Sequence, residues 1–387
     1  MGLMGLISLM GLTSCSNDND NASSQKLVSV DLMPYTSEYV EAGDSDSSDS
    51  PATRAWTPPT TPVKYVFYNE IFGANGMFAN QKNLVNKSIG VFFTQNGEDP
   101  LEGTFFYRSS DTPPWHLMMD ITSGDTYYVY GYIPGEDATS ATIAPNGSYS
   151  NGAVLTINGL NTVTSSDVCV IVGAKDGSDN ETVTGLATGD FAVNFKSGEN
   201  ANHIFLLFDH LYSALRFRFT VDEEYAALRT IKLRKLELIA YSSDTGGGVR
   251  AKFNATVTLK SNLDGTSPIV GSVSFSPDES SAFVAPVPLF EGDQALTVAE
   301  PTDFMGCFVP GQNDYFKLRS TYDVYDKGNN LIRQNCQAEN TIDLRDKFGS
   351  FLETKRGHCY TYTLKVQPTY LYMLSEPDMD NPTLKIQ

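Results

Sequence analysis

The sequence predicts an all-β protein made of antiparallel β-sandwich domains, and three observations support that prediction. First, Leu215–Asp222 reads LRFRFTVD, where apolar and polar side chains alternate as on a strand with one buried face. Second, 31 glycines, 19 prolines, 20 tyrosines and 22 phenylalanines favour many short strands joined by turns. Third, the chain shows no long helical pattern and no repeat of fixed period.

The length indicates two domains. A chain of 387 residues suits two domains of ordinary size, each with its own core. We expect an N-terminal domain over residues 55–198 and a C-terminal domain over residues 199–387. His203–Leu211 is apolar enough to be buried on both faces. Together with the alternating strand that follows it, this stretch predicts that Asn202–Asp222 opens the second domain.

Short alternating segments separated by Pro-, Gly- and Ser-rich loops follow one another in the first domain. Thr126–Pro134 places three tyrosines on one face, and Val168–Val172 is a short apolar run that includes Cys169. The remaining candidate strands are centred on Val63–Phe67, Ile89–Phe93, Ala153–Ile157 and Phe191–Phe195. This is the pattern of an antiparallel sandwich.

The second domain shows one irregularity in its alternation. In Ile231–Ala240 the apolar positions change parity near Arg234-Lys235, which predicts a β-bulge there. Glu223–Leu228 is expected to form a helical turn. Further strands are predicted at Phe253–Leu259, Phe316–Val324 and Tyr360–Val366.

The N-terminus has the features of a lipoprotein export signal. The first 15 residues carry no charge and are mostly apolar, a run too short to span a bilayer. They end in Leu12-Thr13-Ser14-Cys15, which resembles a bacterial lipobox, so Cys15 is the expected site of lipid attachment. No Lys or Arg precedes the apolar run, which leaves open a start codon further upstream.

A strand and a polar linker follow the tether of residues 16–25. Lys26–Met33 alternates as a short strand, whereas Thr36–Thr53 is rich in Ser, Asp and Glu and is expected to be open to proteases. Arg54, followed by Ala55, is the first basic residue after Lys26. Residues 16–54 therefore read as a tether with a strand that is joined to the body by a cleavable linker.

Composition and motifs argue against several functional classes. The net charge of −19 provides no basic face for nucleic acid. No HExxH, zinc-type Cys/His spacing, GxSxG or phosphate loop is present, so we expect no enzyme activity, metal or cofactor. Cys169 reads as a small core residue, and His203 and His210 as structural histidines beside an apolar run. A disulfide between Cys336 and Cys359 stays open.

Four features together resemble the fimbrillins, the type V pilins of Gram-negative anaerobes. They are the lipobox with the acidic tract Ser16–Asp20, the tyrosine-rich strand Tyr127–Pro134, the stretch Phe208–Phe217 with FDHL and ALRF, and Gly357–Leu364. The resemblance implies two tandem transthyretin-like antiparallel β-sandwich domains. It also implies a surface-exposed outer-membrane lipoprotein from which a trypsin-like protease removes the N-terminal strand, so that a neighbour's strand can replace it in a fimbria.

The resemblance assigns roles to particular residues. Cleavage is expected between Arg54 and Ala55, and the partners are other fimbrial subunits in a homo- or heteropolymer. The C-terminal segment 370–387 is the candidate donor strand, since two strand-like pieces flank a Pro- and Asp-rich hinge. The side chains expected to enter a groove are those of Leu371, Met373, Leu384 and Ile386. Whether the subunit belongs to the stalk, tip or anchor, and which ligand it adheres to, stays open.

The alternative is a monomeric surface lipoprotein that binds glycans for a polysaccharide-uptake system. Trp56, Trp115 and the tyrosines of Tyr127–Tyr132 would then stack on sugars. Burial of these aromatic rings in the sheets would argue against it.

Overall fold

The computed structural model describes most of the body of the chain. The described residues are 27–36, 39–41, 66–67, 84, 86–111, 113–122, 124–177, 186–196, 202–243, 246–261, 270–311, 315–344 and 354–366. Cys15, the Arg54–Ala55 site and the segment 370–387 lie outside the described residues.

The predicted all-β class is confirmed. The strands, in chain order, are β1 (Val28–Thr36), β2 (Val40–Glu41), β3 (Val66–Phe67), β4 (Ser88–Thr94), β5 (Leu101–Phe106), β6 (His116–Met119), β7 (Thr126–Ile133), β8 (Ser140–Asn146), β9 (Ser148–Asn161), β10 (Val163–Thr164), β11 (Cys169–Gly177), β12 (Ala192–Asn194), β13 (Asn202–His210), β14 (Ser213–Val221), β15 (Arg229–Tyr241), β16 (Lys252–Lys260), β17 (Val270–Pro277), β18 (Val287–Leu296), β19 (Thr302–Phe308), β20 (Tyr315–Asp326), β21 (Leu331–Asp343) and β22 (His358–Val366). The helix α1 (Glu223–Leu228) follows β14, and a 3₁₀ turn covers Gly135–Asp137.

These strands form four sheets. The first sheet has nine strands in the order β3-β1-β13-β11-β7-β4-β5, with β12 paired to β7 and β6 paired to β1. The second sheet is β10-β19-β14-β22-β2, the third is β18-β15-β20-β21, and the fourth is β17-β16-β9-β8. Most neighbours are antiparallel, whereas β1 with β13, β14 with β22 and β2 with β22 are parallel.

Two clusters of buried apolar side chains divide the sheets into two sandwiches. One cluster joins the first and fourth sheets, which we call the N-terminal sandwich. The other joins the second and third sheets, which we call the C-terminal sandwich. Ala214, Cys307 and Cys359 of the second sheet belong to the first cluster, whereas Leu215 and Phe217 belong to the second. The second sheet therefore contributes one face to each core.

Strand pairing crosses the expected boundary between residues 198 and 199. β13 lies in the first sheet beside β11 and β14 lies in the second sheet, so the chain passes from one sheet to the other within Asn202–Asp222. The two-residue strands β2 and β10 reach the second sheet earlier in the chain. β16 pairs with β9, a strand of the first half, and completes the N-terminal sandwich. The division of the chain into domains at this point stays a prediction.

Several local expectations are confirmed. β14 alternates between buried and partly exposed residues, and its apolar set packs into the second core. The register of β15 shifts between Leu233 and Lys235 against both neighbouring strands, which is the predicted bulge. Glu223–Leu228 is α1, and the side chain of Asp222 caps it by accepting hydrogen bonds from two backbone N–H groups of its first turn.

The described cysteines are all free. Cys336 lies in β21 of the third sheet and Cys359 in β22 of the second sheet, so the pairing left open from the sequence is not made. Among the described residues, no helix is long and apolar enough to cross a membrane.

Candidate functional site: the N-terminal strand and its groove

The strand β1 lies inside the first sheet and not at its edge. It runs parallel to β13 from Val30 to Thr36 on one side. On its other side it pairs antiparallel with β6 near its start and with β3 near its end. The predicted strand Lys26–Met33 is therefore present but begins and ends later, at Val28–Thr36. Its partners come from distant parts of the chain, so local alternation could not fix its limits.

Side chains on both faces of β1 are buried. Val30 and Leu32 are 0% exposed and belong to the core of the N-terminal sandwich. The N–H of Leu32 donates to the carbonyl of Trp115, which is itself fully buried. At about 1.5–3 kcal/mol for each fully buried Val or Leu, these two side chains alone make β1 a substantial part of the core.

Asp31, on the opposite face, lies between two histidines of the flanking strands. Its Oδ1 is 2.5 Å from Nδ1 of His116 in β6, and its Oδ2 is 3.5 Å from Nδ1 of His203 in β13. Asp31 is only 3% exposed. The alternation of the sequence placed this residue on a polar face, whereas the structure buries it. A buried carboxylate needs such partners because an unpaired one would carry a large desolvation cost.

The last residue of β1 and Tyr39, which follows the strand, contact a third histidine. Oγ1 of Thr36 lies 3.5 Å from Nε2 of His210, and the ring of Tyr39 stacks on the imidazole with centroids 3.8 Å apart. The phenol of Tyr39 donates to Oδ1 of Asp167 over 2.6 Å. Nδ1 of His210 is 3.0 Å from the same oxygen. The chain then forms β2, in which Val40 is paired with His358. Each of the four histidines thus adjoins the segment 27–41.

Burial and charge shift the ionisation of this cluster. Burial raises the pKa of Tyr39 well above its usual range, and the negative charge of Asp167 raises it further. Burial also disfavours the ionised form of Asp167, but attraction to His210 and hydrogen bonds from His210 and Tyr39 outweigh it and lower the pKa of Asp167. The N-terminal segment therefore supplies a neutral phenol that stabilises a buried carboxylate.

The cluster contains the residue types of a nucleophilic triad but not its geometry. Sγ of Cys169 is 3.4 Å from Nδ1 of His210, the nitrogen that also contacts Asp167. A triad needs the acid on one ring nitrogen and the nucleophile on the other, so that the imidazole can transfer a proton between them. Cys169, His210 and Asp167 are also buried away from any substrate. This arrangement does not support acyl transfer.

The sequence predicts Cys169 and His210 as separate structural residues and gives no role to Asp167. The two residues are 41 positions apart and meet because Cys169 and His210 are register partners across β11 and β13. The available signal was local: Asp167 and Cys169 are two residues apart and so share a face of an extended chain. Which histidine that face meets depends on strand pairing.

The aromatic residues proposed for glycan stacking are largely buried. Trp115 and Tyr130 are 0% exposed, Tyr127 is 3% exposed and Tyr132 is 7% exposed. Tyr130 packs on Phe191, with ring centroids 4.5 Å apart. Trp56 lies outside the described residues. Tyr128 is partly exposed but packs against the same core, so the described members of this aromatic set form core contacts.

Comparisons with known proteins give distant structural matches. No protein-family model and no curated protein matches the chain. A structure described as a cell adhesion protein of Bacteroides fragilis is 12% identical, with a TM-score of 0.40, and the match covers 87% of this chain and 93% of that one. A cell adhesion protein of Bacteroides ovatus is 9% identical, with a TM-score of 0.33 and coverage of 87% and 92%. A fimbrial protein of Bacteroides vulgatus is 12% identical, with a TM-score of 0.29 and coverage of 73% and 89%.

These matched structures are described as cell adhesion and fimbrial proteins. At such identities and TM-scores the likeness transfers no residue role, ligand or partner to this chain.

Proposed function

We propose that this protein is a structural subunit of an adhesive surface fimbria, assembled by protease-triggered exchange of its N-terminal strand. The observation that carries the proposal is the position of β1. A strand at the very start of the described chain lies between neighbours within a sheet, and its side chains are part of the core.

The connectivity of β1 makes it separable by a single cut. Residues 42–65 are the only covalent link from β1 and β2 to the body that begins with β3. Arg54 lies within that link. After cleavage between Arg54 and Ala55, the segment 27–41 would be held by non-covalent contacts alone.

Departure of β1 would create a site that only another strand can fill. It would expose the N–H and C=O groups of β13 and β6 together with an apolar groove where Val30 and Leu32 had been. A strand from a neighbouring subunit restores both the hydrogen bonds and the burial. Because donor and acceptor are different parts of the chain, the contacts are head-to-tail, and they build a filament when the rotation between neighbouring subunits does not close into a ring.

The donor in this proposal is the C-terminal segment 370–387. Its apolar side chains Leu371, Met373, Leu384 and Ile386 would take the core positions that the N-terminal strand leaves. Before cleavage, lipid on Cys15 would hold the subunit at the outer membrane with its body exposed on the cell surface.

Controlled proteolysis of the purified protein tests this mechanism. Mild trypsin is expected to release residues up to Arg54 and to leave a chain that begins at Ala55, and the cut subunits should then form ladders on a native gel. Arg54→Gln should block both steps. Arg229→Gln is the matched control, because it also removes an arginine but leaves the proposed cleavage site intact.

Truncation after Gln367 separates processing from assembly. The truncated subunit should be cut at Arg54 as before but remain monomeric. Polymer that forms without the tail, or without cleavage, would contradict the mechanism.

In cells, Cys15→Ala should abolish fatty-acid labelling and membrane attachment. Continued labelling of that variant would show that the lipid is attached elsewhere.

A further inference from the structure

The strands β11 and β13 bring three metal-binding side chains to one point. Cys169 begins β11 and is the register partner of His210, which ends β13. Asp167 precedes Cys169 by two residues and so shares its face. The donor atoms of Asp167, Cys169 and His210 all lie within 4.8 Å of one another. All three residues are buried.

The three donors converge on one nitrogen. Nδ1 of His210 is 3.0 Å from Oδ1 of Asp167 and 3.4 Å from Sγ of Cys169. Nε2 faces the other way, towards Oγ1 of Thr36 at 3.5 Å. The imidazole thus directs one nitrogen to the cluster, and its other nitrogen has a partner of the kind that orients a metal-binding histidine.

We propose that Asp167, Cys169 and His210 form a binding site for a zinc ion. Thiolate, imidazole and carboxylate are the donor types that Zn²⁺ takes in proteins. The charges also balance, since one dication meets one carboxylate, one thiolate and a neutral imidazole. An electrically neutral site suits a position where all three residues are buried, because a net charge there would carry a large desolvation cost.

Two of the three donor separations, both from Nδ1 of His210, are close to those of a tetrahedral zinc site. Bond lengths of about 2.0–2.1 Å to N and O and about 2.3 Å to S imply donor separations of about 3.3 Å for N to O and about 3.6 Å for N to S. The corresponding separations here are 3.0 Å and 3.4 Å. These two pairs would need to open by about 0.2–0.3 Å to reach the expected separations, and the oxygen of Asp167 and Sγ of Cys169 lie within 4.8 Å of each other.

A fourth donor is available beside these three. Oη of Tyr39 lies 2.6 Å from Oδ1 of Asp167, and Sγ of Cys307 lies 3.7 Å from that phenol oxygen. The Tyr39 phenol could complete four-coordination as a neutral donor, whereas a second thiolate from Cys307 would leave the site with a net negative charge. The site needs no polymer and no cleavage, so it goes beyond the proposed function and does not depend on it.

Binding requires removal of two protons from the donor atoms. Burial, together with the charge of Asp167, raises the pKa of the Cys169 thiol well above its usual range, so the thiol is protonated in the metal-free protein. Nδ1 of His210 also carries a proton there, which it donates to the Asp167 carboxylate. Zinc binding would release both protons to solvent as the Zn–S and Zn–N bonds form. The charge of the ion replaces the proton in stabilising the thiolate.

The test is metal binding by the purified full-length protein. Zinc is added to the folded protein and, separately, during refolding from denaturant, and bound metal is measured after dialysis. A single tightly bound zinc ion per chain is expected. With Co²⁺ in place of zinc, a thiolate-to-cobalt charge-transfer band is expected. No retained zinc after refolding, or a cobalt spectrum without that band, would overturn the proposal without recourse to any variant.

Paired cysteine variants locate the site. Cys169→Ala is expected to weaken zinc binding by about 100-fold or more, beyond the loss from an outer-shell change. Cys359→Ala removes an equally buried thiol from outside the donor set and should leave zinc binding unchanged. Asp167→Asn keeps the side-chain volume and should also lose zinc, which covers the case where Cys169→Ala fails to fold. Equal zinc affinity in the Cys169 and Cys359 variants would overturn the assignment.

Discussion

The two sandwiches differ in how each obtains its central strands. In the N-terminal sandwich, β1 lies between β13 and the strands β3 and β6, yet it comes from the start of the described chain. In the C-terminal sandwich, β14 lies between β19 and β22. The polypeptide continues both before and after each of these three strands. The N-terminal segment reaches the second sheet only as β2, a two-residue strand at its edge.

Burial does not distinguish these two central strands. Val30 and Leu32 of β1 are 0% exposed, and so are Leu215 and Phe217 of β14. What differs is covalent connection, because one cut in residues 42–65 separates β1 from the body, whereas freeing β14 would take two cuts. A strand can therefore contribute to a core and still be one cut away from covalent separation.

Deletion of residues 16–41 should have the largest effect and should fall on one sandwich. Loss of β1 removes two buried side chains worth about 1.5–3 kcal/mol each, together with hydrogen bonds on both sides. In a Trp56→Phe background, Trp115 is the only tryptophan and reports on the N-terminal sandwich. Its emission should shift to that of a solvated indole, whereas amide exchange of β15 in the C-terminal sandwich should change little.

A pair of leucine variants, one in each sandwich, tests whether only β1 can be released by a cut. Leu32→Ala in β1 and Leu318→Ala in β20 each truncate a fully buried side chain, so each should cost about 2–5 kcal/mol of unfolding free energy. Only Leu32→Ala should also speed dissociation of the cut N-terminal peptide. Chemical denaturation measures the first effect, and mass spectrometry of the released peptide measures the second. Equal release from the two variants would show that β1 is not held by its own core contacts.

Asp31→Asn should have a smaller effect, again on the N-terminal sandwich. It keeps the shape of the side chain but removes the charge that faces His116 and His203, at an expected cost of about 1–3 kcal/mol. A double-mutant cycle with His116→Gln should show non-additive costs, because the two groups are in direct contact. Additive costs would mean that the 2.5 Å contact between Asp31 and His116 contributes little to the free energy of unfolding.

The smallest effect is expected from the exposed ion pair of the C-terminal sandwich. Arg218 donates two hydrogen bonds to Asp303, but the Arg218 side chain is 40% exposed. Solvent screening limits such a pair to about 0.2–1 kcal/mol, so Arg218→Gln, which leaves the contact of Asp303 with Arg216 in place, should lower the free energy of unfolding by no more than that. It should leave emission from Trp115 unchanged.

Local sequence predicted the parts of the fold that depend on neighbouring residues. The alternation of β14, the bulge near Lys235 and the turn of helix at Glu223–Leu228 are all set within a few residues of the chain. Long-range pairing was not predictable in this way. β13 is apolar on both faces, so its pattern could not say which sheet it joins, and the pairing of β16 with β9 leaves no local signature.

The candidate site shows the same division. Val28, Val30 and Leu32 alternate with polar residues, and that pattern predicted a separate N-terminal strand. Burial of Asp31 between two histidines, and the meeting of Asp167, Cys169 and His210, both follow from register between distant strands. These residues can be read from the sequence, but which of them meet depends on the register between distant strands, which local patterns do not show.

The most direct test of the account is amide hydrogen exchange of β13 in three states. Backbone N–H groups of Asn202–His210 should be protected in the uncut monomer, where β1 covers this strand. They should exchange quickly once the cut N-terminal peptide has been removed, and should be protected again in the polymer. Protection that stays the same after removal of the peptide would contradict the claim that β1 fills a groove, and unprotected β13 in the polymer would contradict its replacement by a neighbour's strand.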